Sequence, residues 1–372
     1  ILDETYADEK NFQRDPSIYV NWPETPQSSA IVIDNATGAV IGLTGGVGRK
    51  TANLITNRAT DVRRQPGSAI KPLAVYAPAV DMGLITGATV FEDKEVYLDP
   101  ARPNTPWPQN YTQTYVGDII MRYALKMSLN VPAVEALNLL GVENAKYYLD
   151  LNGIDMTDDN SQLALALGAM TYGVRPIDLT AAFATFFNDG VYREPYVISR
   201  IENSNGEVIL QNQPETHRVF QPETAYMITR ILEEVAMGQT SSTYSYGVAA
   251  NYGKVHNANY EPIQTSVKSG TTENYVDQWF AGGTPYYTLG VWYGFDNKVK
   301  MTSIPSSDTY TVIDVWYHLM NEMHADKASA DWVQPPGIEA KQICSATGYL
   351  ANDYCRQQGY AITEYFPVGS PI

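Results

Sequence analysis

The sequence predicts an α+β fold: a mostly antiparallel five-stranded sheet covered by helices, with an all-helical lobe inserted over roughly residues 76–255. Three observations carry this. Two short β-branched runs open the chain, helix-periodic segments fill its middle, and three strand-like runs with one helix close it. Strands drawn from both ends pack most economically into one sheet, and the block between them becomes a second lobe. Binding sites commonly form in the cleft between such lobes.

Residues 1–28 are polar, with Pro16, Pro23 and Pro26, and read as a linker or arm. Ser29–Asp34 and Ala39–Gly45, joined by Asn35-Ala36-Thr37-Gly38, read as a β-hairpin. A helix then starts after the turn dipeptide Pro66-Gly67 and carries Ile70, Leu73, Ala74 and Ala77 on its apolar face. Residues 86–116 are proline-rich loop. Val116–Leu129 reads as a helix that Pro132 interrupts, and a second helix follows, ending near Gly141. Further helices are expected at 143–151, 161–169, 176–188 and 222–237. A small hairpin is expected at 196–213, from Tyr196-Val197-Ile198 to Val208-Ile209-Leu210. Residues 238–262, rich in Gly, Ser, Tyr and Asn, read as a long functional loop. Strands are expected at Gln264–Lys268, Gln278–Gly282 and Thr288–Tyr293, then a helix over 309–324. From 330 onward the chain is Pro- and Gly-rich, and 339–372 reads as a C-terminal tail to a domain over 29–338.

Composition excludes several classes. The 372 residues suit one large or two modest domains, and a net charge of −16 is the opposite of a nucleic-acid footprint or a surface for anionic lipid. No apolar run spans a bilayer and no signal sequence opens the chain; Ile1 suggests an excised or processed fragment. Cys344 and Cys355 form no redox or zinc motif. They are either a small disulfide loop, which would fit an extracytoplasmic compartment, or two free thiols. His217, His256, His318 and His324 are scattered without metal-ligand spacing. No metal and no cofactor is expected.

Three local signals fall in order on different elements. Ser68-Ala69-Ile70-Lys71 opens a helix, so Ser68 and Lys71 share a face, as a nucleophile and its base would. Ser128-Leu129-Asn130 sits between two helices, and Lys268-Ser269-Gly270-Thr271-Thr272 ends a strand. Taken singly these read as an N-capping serine beside a solvated lysine, as turn chemistry, and as a strand end. Together they outline a cleft lined from both lobes.

With these motifs the chain resembles the penicillin-binding proteins, whose motif set is shared with the serine β-lactamases. The bifunctional class A branch is resembled also through Arg63-Arg64-Gln65-Pro66-Gly67-Ser68, Phe186–Tyr192, Asp277–Gly282, Val291–Asp296 and Thr363-Glu364-Tyr365-Phe366. Ser269 stands where that branch usually has threonine, which keeps a hydroxyl. The resemblance implies a transpeptidase domain, with a glycosyltransferase domain and membrane anchor preceding it in the whole protein. It implies work on the extracytoplasmic face of a bacterial membrane, D-Ala-D-Ala stem peptides as substrate and β-lactams as covalent inhibitors.

The implied roles are Ser68 as nucleophile, Lys71 as base and Ser128 as proton relay. Asn130, Lys268, Ser269, Gly270, Thr271 and Thr272 would bind substrate, and the backbone N–H groups of Ser68 and Thr271 would form the oxyanion hole. Lys71 must be neutral to act, against an ordinary lysine value of ~10.4, and Lys268 is the expected cation that helps to depress it. A β-lactamase would need a deacylating Glu. Glu135-Ala136-Leu137-Asn138 resembles the Glu-x-x-Leu-Asn motif but is one residue short. A D,D-carboxypeptidase or a non-catalytic β-lactam- or peptidoglycan-binding module are the other readings.

Overall fold

A computed structural model describes residues 26–50, 52–98, 101, 103–237, 252–297 and 311–371. Strands β1 (Gln27–Asp34) and β2 (Val40–Thr44) come first. A 3-10 turn at Gly67–Ile70 and a π turn at Pro72–Tyr76 run into α1 (Ala77–Asp81). Strands β3 (Val90–Asp93) and β4 (Gly117–Ile120) pair with each other, ahead of α2 (Met121–Lys126), α3 (Asn130–Leu140), α4 (Val142–Leu151) and α5 (Pro176–Phe186). The short strands β5 (Val191–Arg193), β6 (Arg200–Glu202), β7 (Val208–Gln211) and β8 (Thr216–Arg218) precede α6 (Pro222–Met237). Then come β9 (Val255–His256), β10 (Pro262–Ile263), β11 (Ser266–Thr271), β12 (Asp277–Gly283), β13 (Tyr287–Gly294) and α7 (Thr311–Met323). Strands β14 (Ile338–Cys344) and β15 (Ala361–Pro367) flank α8 (Asp353–Gln357).

The main sheet has the order β11-β12-β13-β1-β2, every neighbour antiparallel. It is built from both ends of the chain, closed by the β1–β13 pairing that sets Ala30 opposite Val291. β1 is buried on both faces because helices cover both. Ile31 and Ile33 point into a core shared with the helical lobe, while Ala30 and Val32 join Val291, Val315 and Trp316 on the other side. This is the period-2 alternation of a strand sandwiched between layers. Helix α5 lies on the sheet where Gly290 leaves room: a Cβ there would sit 2.1 Å from Thr180 Oγ1.

Several elements differ from the sequence expectations. Residues 116–129 are not one helix. Gly117–Ile120 is a strand and only Met121–Lys126 is helical, because two adjacent isoleucines satisfy either periodicity and the partner strand Val90–Asp93 lay in an apparent loop. Pro132 interrupts nothing. It lies in the first turn of α3, where its missing N–H costs no hydrogen bond. The break falls at Ser128, with φ 57°. Leu163–Leu167 is a 3-10 segment, and the hairpin at 196–213 starts its first strand at Arg200 rather than Tyr196. Strand β11 runs on to Thr271, so Lys268 is mid-strand. The stretch beyond 330 holds a paired β14–β15 unit with Cys344 and Cys355 joined as a disulfide, which decides between the two cysteine readings. Of the arm at 1–28, residues 1–25 lie outside the described residues, and Gln27 and Ser28 belong to β1. Of the 238–262 loop, residues 238–251 lie outside them too.

Candidate active site

The segment Arg64–Ser68 is pinned from both lobes. Arg64 exchanges two backbone hydrogen bonds with Val174, and the Gln65 carboxamide both donates to Met170 O and accepts from Met170 N. From the sheet side, Trp279 Nε1 donates to Gln65 O at 2.8 Å. The Arg64 guanidinium lies over Trp292 and donates to the carbonyls of Phe295 and Asp296. Backbones then meet without side chains between them. A Cβ on Gly67 would lie 2.6 Å from Thr271 O, one on Gly168 2.4 Å from Gly67 O, and one on Gly270 2.3 Å from Pro66 O. Gly67 and Gly168 also have positive φ, which glycine adopts freely. These contacts set the turn that carries Ser68 against the end of β11. The sequence reading quoted Gln65 within its motif without giving it a role, and missed Gly168; the signal available for Gly168 was a glycine closing an otherwise apolar run.

Ser68 is not a helix cap. The capping position is Pro66, without a side-chain hydrogen bond, and Ser68 stays half-buried in the 3-10 turn. Lys71 is not a solvated charge: it is fully buried. Its ammonium donates to Ser128 O at 2.6 Å, Leu129 O at 3.0 Å and Asn130 Oδ1 at 2.7 Å, with Ser128 Oγ at 3.4 Å. Those oxygens favour the protonated amine. Burial, and after it the charge of Lys268, push the other way and hold Lys71 well below the ordinary lysine range.

Ser128 turns the chain between α2 and α3 and presents Oγ to Lys268 Nζ at 2.8 Å. Lys268 also donates to Ser269 O, is 1% exposed, and is pushed down to about 7 by burial. The structure thus brings Lys71, Ser128, Asn130 and Lys268 into one hydrogen-bonded cluster, and Ser68 lies in the 3-10 turn that ends at Lys71. Gly270 lies at the backbone contact, and Ser269 and Thr271 remain half-buried and exposed along the outer strand of the sheet. Thr272 is placed differently: its hydroxyl accepts from Asp277 N at 2.9 Å and closes the turn into β12. Glu135, whose motif is one residue short of the deacylating pattern, is raised above the usual carboxylate range, chiefly by burial, with Lys94 opposing and Glu92 and Asp93 adding to it.

Two residues that sequence reasoning did not single out meet between the segments that follow Asn110 and β11. Tyr111, from the helical-lobe loop next to Asn110, and Tyr275, after β11, share a hydrogen bond between phenol oxygens at 2.6 Å. Among the described residues no group of three or more His, Cys, Asp or Glu side chains is placed to hold a metal, and no helix is long and apolar enough to cross a membrane.

A five-stranded antiparallel sheet with a helical insertion, and a Ser-x-x-Lys turn where the two meet, is the β-lactamase-like fold of penicillin-binding transpeptidase domains. The chain belongs to that family: residues 28–297 match the family model of the penicillin-binding protein transpeptidase domain, and 334–370 that of the penicillin-binding protein 1A C-terminal domain. Among curated relatives it is 38% identical to penicillin-binding protein 1F of Bacillus subtilis (strain 168) over 80% of this chain and 39% of that one. It is 31% identical to penicillin-binding protein 1A of Clostridium tetani over 93% of this chain and 44% of that one. The chain therefore spans less than half the length of these relatives. The crystal structure of penicillin-binding protein 1A from Haemophilus influenzae superposes with a TM-score of 0.78 at 24% identity, over 92% of this chain and 53% of that one. That of PonA1 from Mycobacterium tuberculosis in complex with penicillin V gives 0.70 at 20% identity, over 92% and 89%.

Proposed function

We propose that this chain is a D,D-transpeptidase that crosslinks peptidoglycan stem peptides through an acyl-enzyme on Ser68. Neutral Lys71 takes the Ser68 proton as Oγ attacks the carbonyl of the D-Ala-D-Ala bond. The oxyanion is held by the N–H groups of Ser68 and Thr271. As the C–N bond breaks, a proton passes through Ser128 to the departing D-alanine nitrogen. An amine of a neighbouring stem peptide then attacks the ester. The amine's proton passes to Lys71 and from it to Ser68 Oγ as the ester C–O bond breaks, which restores the serine hydroxyl and the neutral lysine and completes the crosslink. Lys268, Ser269 and Thr271 suit the substrate's terminal carboxylate, and the outer strand β11 suits an extended peptide added along its edge.

What supports this reading is one observation: two buried lysines from different parts of the chain reach the same hydroxyl, Ser128 Oγ, and one of them, Lys71, ends the turn that carries the half-buried Ser68. In the same reading β-lactams acylate Ser68 and are retained, because the opened ring keeps its amine tethered. The whole protein would work outside the bacterial membrane, with a glycosyltransferase domain and an anchor, as the resemblance implies.

Intact mass after penicillin treatment, followed over hours, tests it. A persistent adduct on wild-type protein and none on Ser68→Ala is expected. Rapid loss of the adduct favours a β-lactamase, and labelling of Ser68→Ala overturns the assignment. Incubation with donor stem peptide, with and without an acceptor amine, separates transpeptidation from carboxypeptidase release and from a non-catalytic module.

A further inference from the structure

Asn130 is held in one orientation by a loop that none of the sequence motifs includes. Asn130 is the first residue of α3, and its N–H is one of the donors a helix start leaves without an internal partner. Leu129, at the capping position, makes no side-chain cap. The acceptor comes from elsewhere: Asn110 Oδ1, 2.8 Å away. Asn110 is 3% exposed and acts as an N-cap in trans.

The polarity of that contact is set one residue further back. Asn110 Nδ2 donates to both carboxylate oxygens of Asp93, at 2.8 and 2.9 Å, and to Thr114 O at 3.0 Å. Asp93, 1% exposed on β3, also accepts from Val116 N at 2.9 Å. A backbone carbonyl only accepts and a backbone N–H only donates, so the NH₂ side of Asn110 must face Thr114 O and Asp93 and its oxygen must face Asn130 N–H. The same logic fixes the Asn130 side chain. Its Nδ2 donates to Gln109 O at 2.7 Å, which leaves Oδ1 for Lys71 Nζ at 2.7 Å. Reversing either amide would set donor against donor at one end and acceptor against acceptor at the other.

We propose that Asp93 and Asn110 are positioning residues for acyl transfer: by holding the Asn130 N–H they fix where Asn130 stands, and through it where Lys71 is held. This rests on the reading of Ser68 and Lys71 given above. A carboxylate on a strand of the helical lobe thereby orients a base on the segment that carries the nucleophile, without touching substrate.

The test is a double-mutant cycle on penicillin acylation, with the pre-acylation dissociation constant and the acylation rate constant measured separately. Asn110→Ala is expected to lower the rate constant by about 10²-fold, the effect of misplacing a catalytic group by roughly 1 Å, with the dissociation constant little changed. On an Asn130→Ala background the same substitution should change the rate less than about twofold, because Asn110 acts through Asn130. Losses that multiply on that background, or that fall on the dissociation constant, overturn the proposal. If Asn110→Ala does not fold, the isosteric Asp93→Asn carries the same comparison, with the same outcomes. Ser68→Ala keeps the two readings apart. Labelling of that variant sinks the nucleophile, whereas a silent Ser68→Ala beside a fully active Asn110→Ala sinks only the positioning role.

Discussion

Lys71 and Lys268 converge on a single oxygen: their ammonium nitrogens lie 3.4 and 2.8 Å from Ser128 Oγ. Both side chains are buried, and both are depressed in the folded state. Lys71 feels burial first and the charge of Lys268 second, whereas burial alone lowers Lys268. Removing that charge in Lys268→Ala makes the Lys71 ammonium less costly, so its pKa rises and less of it is neutral at pH 7. The acid limb of the acylation pH profile should therefore move to higher pH and the rate at neutral pH should fall. A fluorescent penicillin followed between pH 6 and 10 measures this. An unmoved limb would remove Lys268 from that role.

The same shifts bear on stability, with a definite sign. A lysine depressed when folded binds fewer protons than its unfolded counterpart, so stability rises with pH across the window between the two values. For Lys268 that window runs from about 7 upward to the unfolded lysine's ~10.4. Urea unfolding at pH 7 and pH 9 should show the gain in wild-type protein and a smaller gain in Lys268→Ala. Equal gains in the two proteins would contradict the depressed lysine.

Gly270→Ala tests the backbone contact behind Ser68. Its Cβ would lie 2.3 Å from Pro66 O and 2.8 Å from Ala69 Cβ, neither at the end of a flexible side chain. The expected cost is about 1–3 kcal/mol of overpacking, with acylation reduced by about 10²-fold as Ser68 shifts away from Thr271. Gly42→Ala, whose Cβ would meet nothing closer than 3.6 Å, is the control. Thermal melting and labelling rate are read together. Wild-type labelling in Gly270→Ala would show that this contact does not set the spacing.

Arg122 ties α2, just ahead of Ser128, to the C-terminal unit. Its guanidinium donates to Glu364 Oε2 at 2.5 Å and Oε1 at 2.7 Å on β15, and to Glu234 Oε1 on α6 at 2.5 Å. Arg122 and Glu364 are both buried. Glu364→Ala leaves a buried cation short of a partner and should cost about 3–5 kcal/mol in urea unfolding. A change within about 0.5 kcal/mol, the range of ordinary surface substitutions, would show that the pair does not anchor the unit.

The Tyr111–Tyr275 bond crosses the cleft from the helical-lobe loop to the turn after β11. It pushes Tyr111 up to about 12, chiefly through the shared hydrogen bond. Tyr111→Phe removes only that bond at an exposed position, so melting should hardly change. Acylation by a β-lactam with a bulky side chain should gain relative to one with a small side chain. A constant ratio between the two would mean that the tyrosine pair does not restrict entry.

Much of the fold is readable in the residues because it is local. Helix α6 stands at 222–237, where its apolar periodicity puts it, and the β12–β13 hairpin closes over Gly283-Thr284-Pro285. The Ser-x-x-Lys, Ser-x-Asn and Lys-Ser-Gly segments are legible for the same reason. The β3–β4 pair was not: each strand is four residues long, and neither has a distinctive pattern without the other. The resemblance groups Thr272 with its motif neighbours, yet its hydroxyl goes to the Asp277 backbone across the turn.

By itself the sequence determined which chemical groups are present, the order in which they come and the elements that carry them, since side-chain type and hydrophobic period need no distant partner. Only the tertiary structure decided what those groups experience. That Lys71 is buried rather than solvated follows from Ser128–Asn130 folding over it. That Asn130 points its oxygen at Lys71 follows from Gln109 O taking its NH₂ group, while Asn110, turned by Asp93, holds its N–H. Protonation and hydrogen-bond direction are set by burial and by long-range neighbours, and those exist only once the two lobes have met.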